Sequence, residues 1–146
     1  MFRTKASTYA ILAVLEVARQ KRGRFSAVQA GEIANSLSLP GAYAAKVLTQ
    51  LARANVLRSD RGPRGGFRLA RPPDSINLLE IVEAVDGPIG AGRELADGLD
   101  AAGGGVRTVD QLFEEVVKRV RTYLRSRTLA DLIEQADRLP SIAKTT

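Results

Sequence analysis

The stretch Arg61-Gly62-Pro63-Arg64-Gly65-Gly66-Phe67-Arg68 decides how this chain is read. Val56-Leu57-Arg58-Ser59 before it and Phe67-Arg68-Leu69-Ala70 after it are strand-like, and Pro63 with the Gly65-Gly66 pair supplies turn backbone that most side chains forbid. Two short strands and a tight turn make a hairpin. Positive φ is expected at Gly65, so a β-branched residue there should damage the turn. Arg61, Arg64 and Arg68 fall within eight residues with no acid among them, a cluster that repels itself unless phosphates neutralise it. Taken alone, the segment would also serve as a solvated surface hairpin, and the residues before it decide between the two.

Upstream, Tyr9, Ala10, Leu12, Ala13, Leu15, Val17 and Ala18 are spaced as the apolar stripe of a helix over 6–19, which Lys21-Arg22-Gly23-Arg24 breaks. A short helix over 30–37 carries Ile33 and Leu37 on one face, with Ser26 or Gln29 as alternative caps. Ser36-Leu37-Ser38-Leu39 turns the chain. Pro40 suits the first position of a third helix, whose buried face is marked by Ala44, Val47, Leu48 and Leu51 and which ends near Asn55. Helix, turn, helix and basic hairpin is the order of a winged helix-turn-helix, in which the later helix enters a DNA major groove.

Charge follows the same division. Through Pro72 there are thirteen Lys or Arg against three acids, a net +10; from Pro73 onward nine face thirteen, a net −4. Positive charge gathered on one part of the chain is what a polyanion-binding face requires. The 146 residues include neither cysteine nor histidine, which removes disulfides, thiolate metal sites and the usual catalytic base. No catalytic residue, metal ligand or cofactor is expected. The N-terminus does not read as a signal peptide and no apolar run reaches the roughly 18 residues of a membrane span, so a cytoplasmic protein is expected.

These residues resemble the Rrf-two-type winged-helix repressors, whose members include the iron–sulfur cluster regulator, the nitric-oxide-sensitive repressor and the cysteine-metabolism repressor. Tyr9-Ala10, Glu32-Ile33-Ala34, Tyr43 to Leu51 and Arg61-Gly62-Pro63 with Gly65-Gly66-Phe67 carry the likeness, the last most specifically. Ile76 to Gly87 is similar to the family's helix after the wing, and Thr128-Leu129-Ala130-Asp131-Leu132 to its closing segment. The resemblance implies double-stranded DNA as partner and a two-fold dimer built on a later helix.

That later part also reads from its own residues. Asn77 can cap a helix with Glu80 reaching back, Ile76 and Ile81 form a staple, and Gly87-Pro88 stops it. A longer helix is expected from Thr108 as N-cap, with Gln111 completing a capping box. Val109, Leu112, Phe113, Val116, Val117, Val120, Tyr123 and Leu124 repeat at three and four, a stripe that must be covered. A second copy is the expected cover, with Leu112, Phe113, Val116, Val120, Tyr123 and Leu124 as the dimer contact. Between the two helices, residues 87–107 hold seven of the thirteen glycines, where the cluster-binding relatives place three cysteines and this chain has none. Glu94, Asp97 and Asp100 fit no ordered calcium loop, and a glycine linker is the simpler reading.

The expected class is mainly α with a small β wing: a winged helix-turn-helix head over 1–87, a glycine-rich loop over 88–107, a dimerisation helix and closing helix over 108–139, and a tail over 140–146. Base reading is expected from the exposed side of the third helix, at Gly41, Ala42, Tyr43, Ala45, Lys46, Thr49 and Gln50, of which Tyr43, Lys46 and Gln50 have reach and hydrogen-bonding groups. Arg58, Arg61, Gly62, Pro63, Arg64, Gly65, Gly66 and Arg68 form the expected wing contact, with Arg3 and Lys5 adding phosphate contacts. The expected function is a DNA-binding transcription regulator acting as a homodimer on a pseudo-palindromic operator, without an iron–sulfur cluster. A winged-helix module docking an acidic protein or RNA is the alternative, and an effector or partner protein is left open.

Overall fold

The computed structural model describes residues 4–20, 26–90 and 104–139. In chain order α1 is Lys5–Gln20, α2 Ala30–Ser36, α3 Gly41–Arg53, β1 Leu57–Asp60, β2 Gly66–Leu69, α4 Leu78–Asp86, α5 Gly104–Ser126 and α6 Leu129–Arg138. A 3-10 turn at Pro73–Ser75 leads from β2 to α4. Arg3, the basic 21–24 run, the acids of the 91–103 loop and the tail from 140 lie outside the described residues.

Local chemistry sets most of the ends. Thr4 caps α1 by accepting from the Ser7 N–H at 3.0 Å, while the Ser7 hydroxyl accepts from the Thr4 N–H at 2.9 Å. Gln29 precedes α2 in extended geometry but its side chain caps nothing, and Pro40 sits one place before α3 rather than at its first position. Asn77 caps α4 through the Glu80 N–H at 3.0 Å, and the Glu80 carboxylate reaches back to the Asn77 amide rather than to its backbone. Gly87, at φ 75°, ends that helix.

Residues from all of the head meet in one core: Ala10, Val14 and Val17 of α1, Ile33 of α2, Val47, Leu48 and Leu51 of α3, Leu57 of β1, and Ile81 of α4. Each fully buried Leu or Ile among them contributes about 1.5–3 kcal/mol relative to exposure. The staple residues Ile76 and Ile81 are both fully buried. Arg71 then ties the turn after α3 to α4, donating to the Asn55 carbonyl at 3.2 Å, to the Ser75 carbonyl at 2.9 Å and to the Glu80 carboxylate.

The chain leaves this head along α5 and comes back. Leu129, fully buried, donates its N–H to the Ile76 carbonyl at 2.8 Å, and the Leu78 N–H donates to the Arg127 carbonyl at 2.9 Å. Thr128 and Asp131 form a capping box at the start of α6, and Arg19 of α1 meets Asp137 at 3.0 Å. Among the described residues α5 runs from Gly104, so the helix already extends four residues ahead of the expected cap. Thr108 lies inside it because its hydroxyl bonds back to the Gly104 carbonyl at 2.9 Å instead of capping.

Candidate nucleic-acid interface

The candidate interface is built by α3 and the hairpin that follows it. The α3 helix buries Ala44, Val47, Leu48 and Leu51, so the turn of the helix leaves Ala42, Ala45, Lys46 and Thr49 exposed. Pro40 brings no side-chain cap to the first turn of this helix. The Thr49 hydroxyl donates to the Ala45 carbonyl at 2.8 Å, which occupies its proton locally. Tyr43 is half-buried, its ring edge-on to Tyr9 with centroids 5.8 Å apart and planes at 80°. That contact fixes the ring as a strut between α1 and α3. Gln50 is half-buried as well, which leaves Lys46 as the long polar side chain standing free on the expected reading face.

In the hairpin, β1 and β2 pair antiparallel with Leu57 opposite Leu69, Arg58 opposite Arg68, Ser59 opposite Phe67 and Asp60 opposite Gly66. Both strands sit one residue away from the sequence expectation, because Val56 goes into the core and Gly66 joins the ladder. The Gly65 N–H donates to the Gly62 carbonyl at 2.9 Å, closing a turn with Pro63 and Arg64 at its two central positions. Positive φ falls at Gly62 (105°) and Gly66 (143°), and Gly65 is not among the positive-φ residues. Gly65 is still required, for a different reason: a Cβ there would lie 2.4 Å from the Asp60 carbonyl oxygen. At Gly66 the same atom would lie 2.4 Å from the Val28 carbonyl oxygen.

Val28 shows what the sequence reading missed. It bridges Phe67 on the far side of β2, with reciprocal N–H to carbonyl bonds at 2.8 Å, so the segment before α2 clasps the wing to the head. Arg61, Gly62, Pro63 and Arg64 are all exposed. Arg68 is different, since its Nε lies 2.8 Å from Asp60 Oδ2 and its side chain is half-buried. Arg58 is exposed, with its Nε 4.0 Å from the same carboxylate. Of the N-terminal cations, Lys5 is described and exposed.

The α5 helix has two apolar faces and no buried residue. One face is held by the head: Arg121 donates to the Glu83 carboxylate of α4, which also accepts from the Ile89 N–H at 3.1 Å, and Val117 stands where a Cβ on Gly90 would meet it at 2.7 Å. About a quarter turn round the helix lies the other face, Val109, Leu112, Phe113, Val116 and Tyr123, each 46–60% exposed. Val120 and Leu124, expected in the same stripe, are half-buried in the single chain.

This fold and site define a winged helix-turn-helix DNA-binding transcription regulator. The family model described as "Rrf2: Iron-dependent Transcriptional regulator" matches residues 3–135, and the chain belongs to that family. It is 30% identical over 131 residues to the HTH-type transcriptional regulator IscR of Cereibacter sphaeroides, an alignment covering 86% of this chain and 83% of that protein. Among solved structures it is similar to CymR, described as the global cysteine regulator of B. subtilis, with a TM-score of 0.72 and 25% identity over 91% of this chain and 96% of that one. The T. potens IscR structure shares the fold at a TM-score of 0.72 and 23% identity, covering 94% and 91%.

The family's description implies iron, and the donor set of this chain does not suit a cluster. Cysteine and histidine are absent from the sequence, and among the described residues no three carboxylates gather where one ion could be held. Carboxylate oxygens are hard ligands and do not replace thiolate sulfur on an iron–sulfur centre.

Proposed function

We propose that this regulator binds a pseudo-palindromic operator as a homodimer and represses transcription from it. The observation that carries the reading is the open stripe of α5, in which Val109, Val116 and Tyr123 follow one another at seven-residue spacing and stay exposed after the head has closed its own core. An apolar stripe of that period is the pattern by which one helix packs along another. Two copies joined there would carry two identical heads, and two-fold symmetry in the protein calls for two-fold symmetry in the site, with half-sites about one helical turn apart.

Within each head, exposed Lys46 of α3 serves base edges or phosphate, and Arg61 and Arg64 at the wing turn serve phosphate. Ala42 and Ala45 offer only apolar contact, which suits a thymine methyl. Tyr43 acts chiefly by holding α3 on α1. The assignment to repression rests on the resemblance to the repressors of this family.

Selection of bound sequences from random duplex DNA, with sedimentation of the free protein over a concentration range, tests both halves of the reading. The expected result is a two-fold consensus and a dimer. A recovered pool without any consensus would move the basic face to an acidic protein or RNA partner, and a monomer at all concentrations would remove the operator symmetry argument.

A further inference from the structure

Strand alternation divides the wing into two faces. Leu57, Phe67 and Leu69 turn toward the core, so Arg58 and Asp60 of β1 and Arg68 of β2 share the outer face. Arg58 and Arg68 are directly opposite each other. Like charges so placed destabilise a hairpin, and the acid two residues along is positioned to answer both. Asp60 does so unequally, at 2.8 Å to Arg68 Nε and 4.0 Å to Arg58 Nε. The Arg68 and Asp60 side chains are only 26% and 33% exposed, so salt and water screen this pair less than an open surface pair. Arg61 and Arg64, one and four residues after Asp60 on the turn, have no ion pair among the described residues.

We propose that Asp60 is a positioning residue of the DNA interface: its carboxylate holds Arg68, and in part Arg58, off the phosphate backbone, so that the wing neutralises phosphate with its turn arginines alone. The proposal rests on the reading of the wing as a DNA contact. Each arginine that reaches phosphate strengthens binding to every duplex alike and releases one more counterion. A carboxylate that occupies Arg68 therefore limits sequence-independent affinity and leaves a larger share of the binding to α3. Only the Arg68 Nε is bonded to Asp60, so the hold is electrostatic: the carboxylate offsets the charge of the guanidinium, and a phosphate reaching for the remaining N–H donors would approach against the charge of Asp60 itself.

Titration of the full chain with a mixed-sequence duplex over a range of salt concentrations tests this. Asp60→Asn keeps the shape and removes the charge, and it should steepen the log affinity against log salt plot by about one unit and tighten binding about three- to tenfold at low salt. Asp60→Glu should keep the wild-type slope. Adding Arg68→Gln to Asp60→Asn should restore the wild-type slope, and Arg68→Gln alone should leave it unchanged. An Asp60→Asn protein whose slope is unchanged or shallower would overturn the proposal, as would loss of a full unit in Arg68→Gln alone, which would mean that Arg68 already holds phosphate. If Asp60→Asn does not fold, Asp60→Ser takes its place, with the same steepening expected and an unchanged slope again overturning the proposal. Wild-type protein with no salt-dependent affinity for the duplex would overturn the DNA reading and this proposal together, whereas wild-type binding with no response to Asp60→Asn overturns only the role of Asp60.

Discussion

The two longest described helices, α1 and α5, both carry apolar residues at three- and four-residue spacing. In α1 the pattern is buried at Ala10, Ala13, Val14 and Val17, although Leu12 of the expected stripe stays 39% exposed; in α5 not one residue is buried along 23. The difference lies in what surrounds them. The α1 helix is packed by α2, α3, α4, β2 and α6, while α5 rests one face on α4 and leaves the next to solvent. Helical periodicity reports which face is apolar and says nothing of which chain covers it.

The largest effect that would sharpen this contrast is a core truncation in the head. Leu51→Ala should cost roughly 2–5 kcal/mol of unfolding free energy, read from a denaturant melt, because the buried site cannot fully collapse around the missing atoms. Leu112→Ala in dilute protein should leave the melt close to wild type. Equal losses in the two variants would show the α5 stripe to be covered within one chain.

Next in size is Val116→Glu. A carboxylate placed in a two-fold apolar contact is left unpaired on burial, which should weaken the dimer by roughly 2–3 kcal/mol and shift sedimentation toward monomer. The head stays intact, so weak binding to mixed duplex should survive while the gain from a linked second head is lost. A variant that remains fully dimeric would break the assignment of this face.

A smaller effect is expected at the wing. Arg64→Ala should make the salt dependence of duplex binding shallower by about one unit, with similar losses on all sequences. An unchanged slope would show the exposed turn to be idle.

The smallest concerns the start of α6. The Asp131 carboxylate accepts from the Thr128 backbone N–H and then from its hydroxyl, which holds its pKa below the usual carboxylate range, with Arg127 adding to the same direction. A lowered folded-state pKa stabilises the fold above the unfolded value, and that contribution is lost as pH falls through the folded one. Thermal melts from neutral pH into the acid range should show a slightly weaker acid dependence in Asp131→Asn; an identical dependence would show the cap charge to be without effect.

How much of this was legible in the sequence depends on the distance over which each contact acts. The caps at Asn77 and Gly87 and the buried face of α3 are decided within a few residues and stand where the pattern put them, whereas the Gly-Pro-Arg-Gly-Gly run makes the turn with positive φ at Gly62 and Gly66 rather than at Gly65 and with both strands one residue displaced. The start of α5 was misread because Thr108 had two local partners available, and its hydroxyl took the carbonyl behind it rather than the N–H groups ahead. The arginine cluster was legible but not its neutralisation, since Asp60 lies just outside the run and meets Arg68 only once β1 and β2 are in register.

By itself the sequence determined the kind of fold, the concentration of positive charge in the first half and, through the absence of cysteine and histidine, the ligands this chain cannot offer a metal. Those properties need only composition, spacing and side-chain chemistry. Tertiary structure alone decided that Val28 clasps Phe67, that Tyr43 is held by Tyr9, that Arg68 is spent on Asp60, and that α5 keeps one face for Glu83 and Ile89 while the other stays open. Each of these joins groups whose meeting depends on how separate elements dock, and no local periodicity carries that information, because loop closure and packing are settled by the whole chain at once.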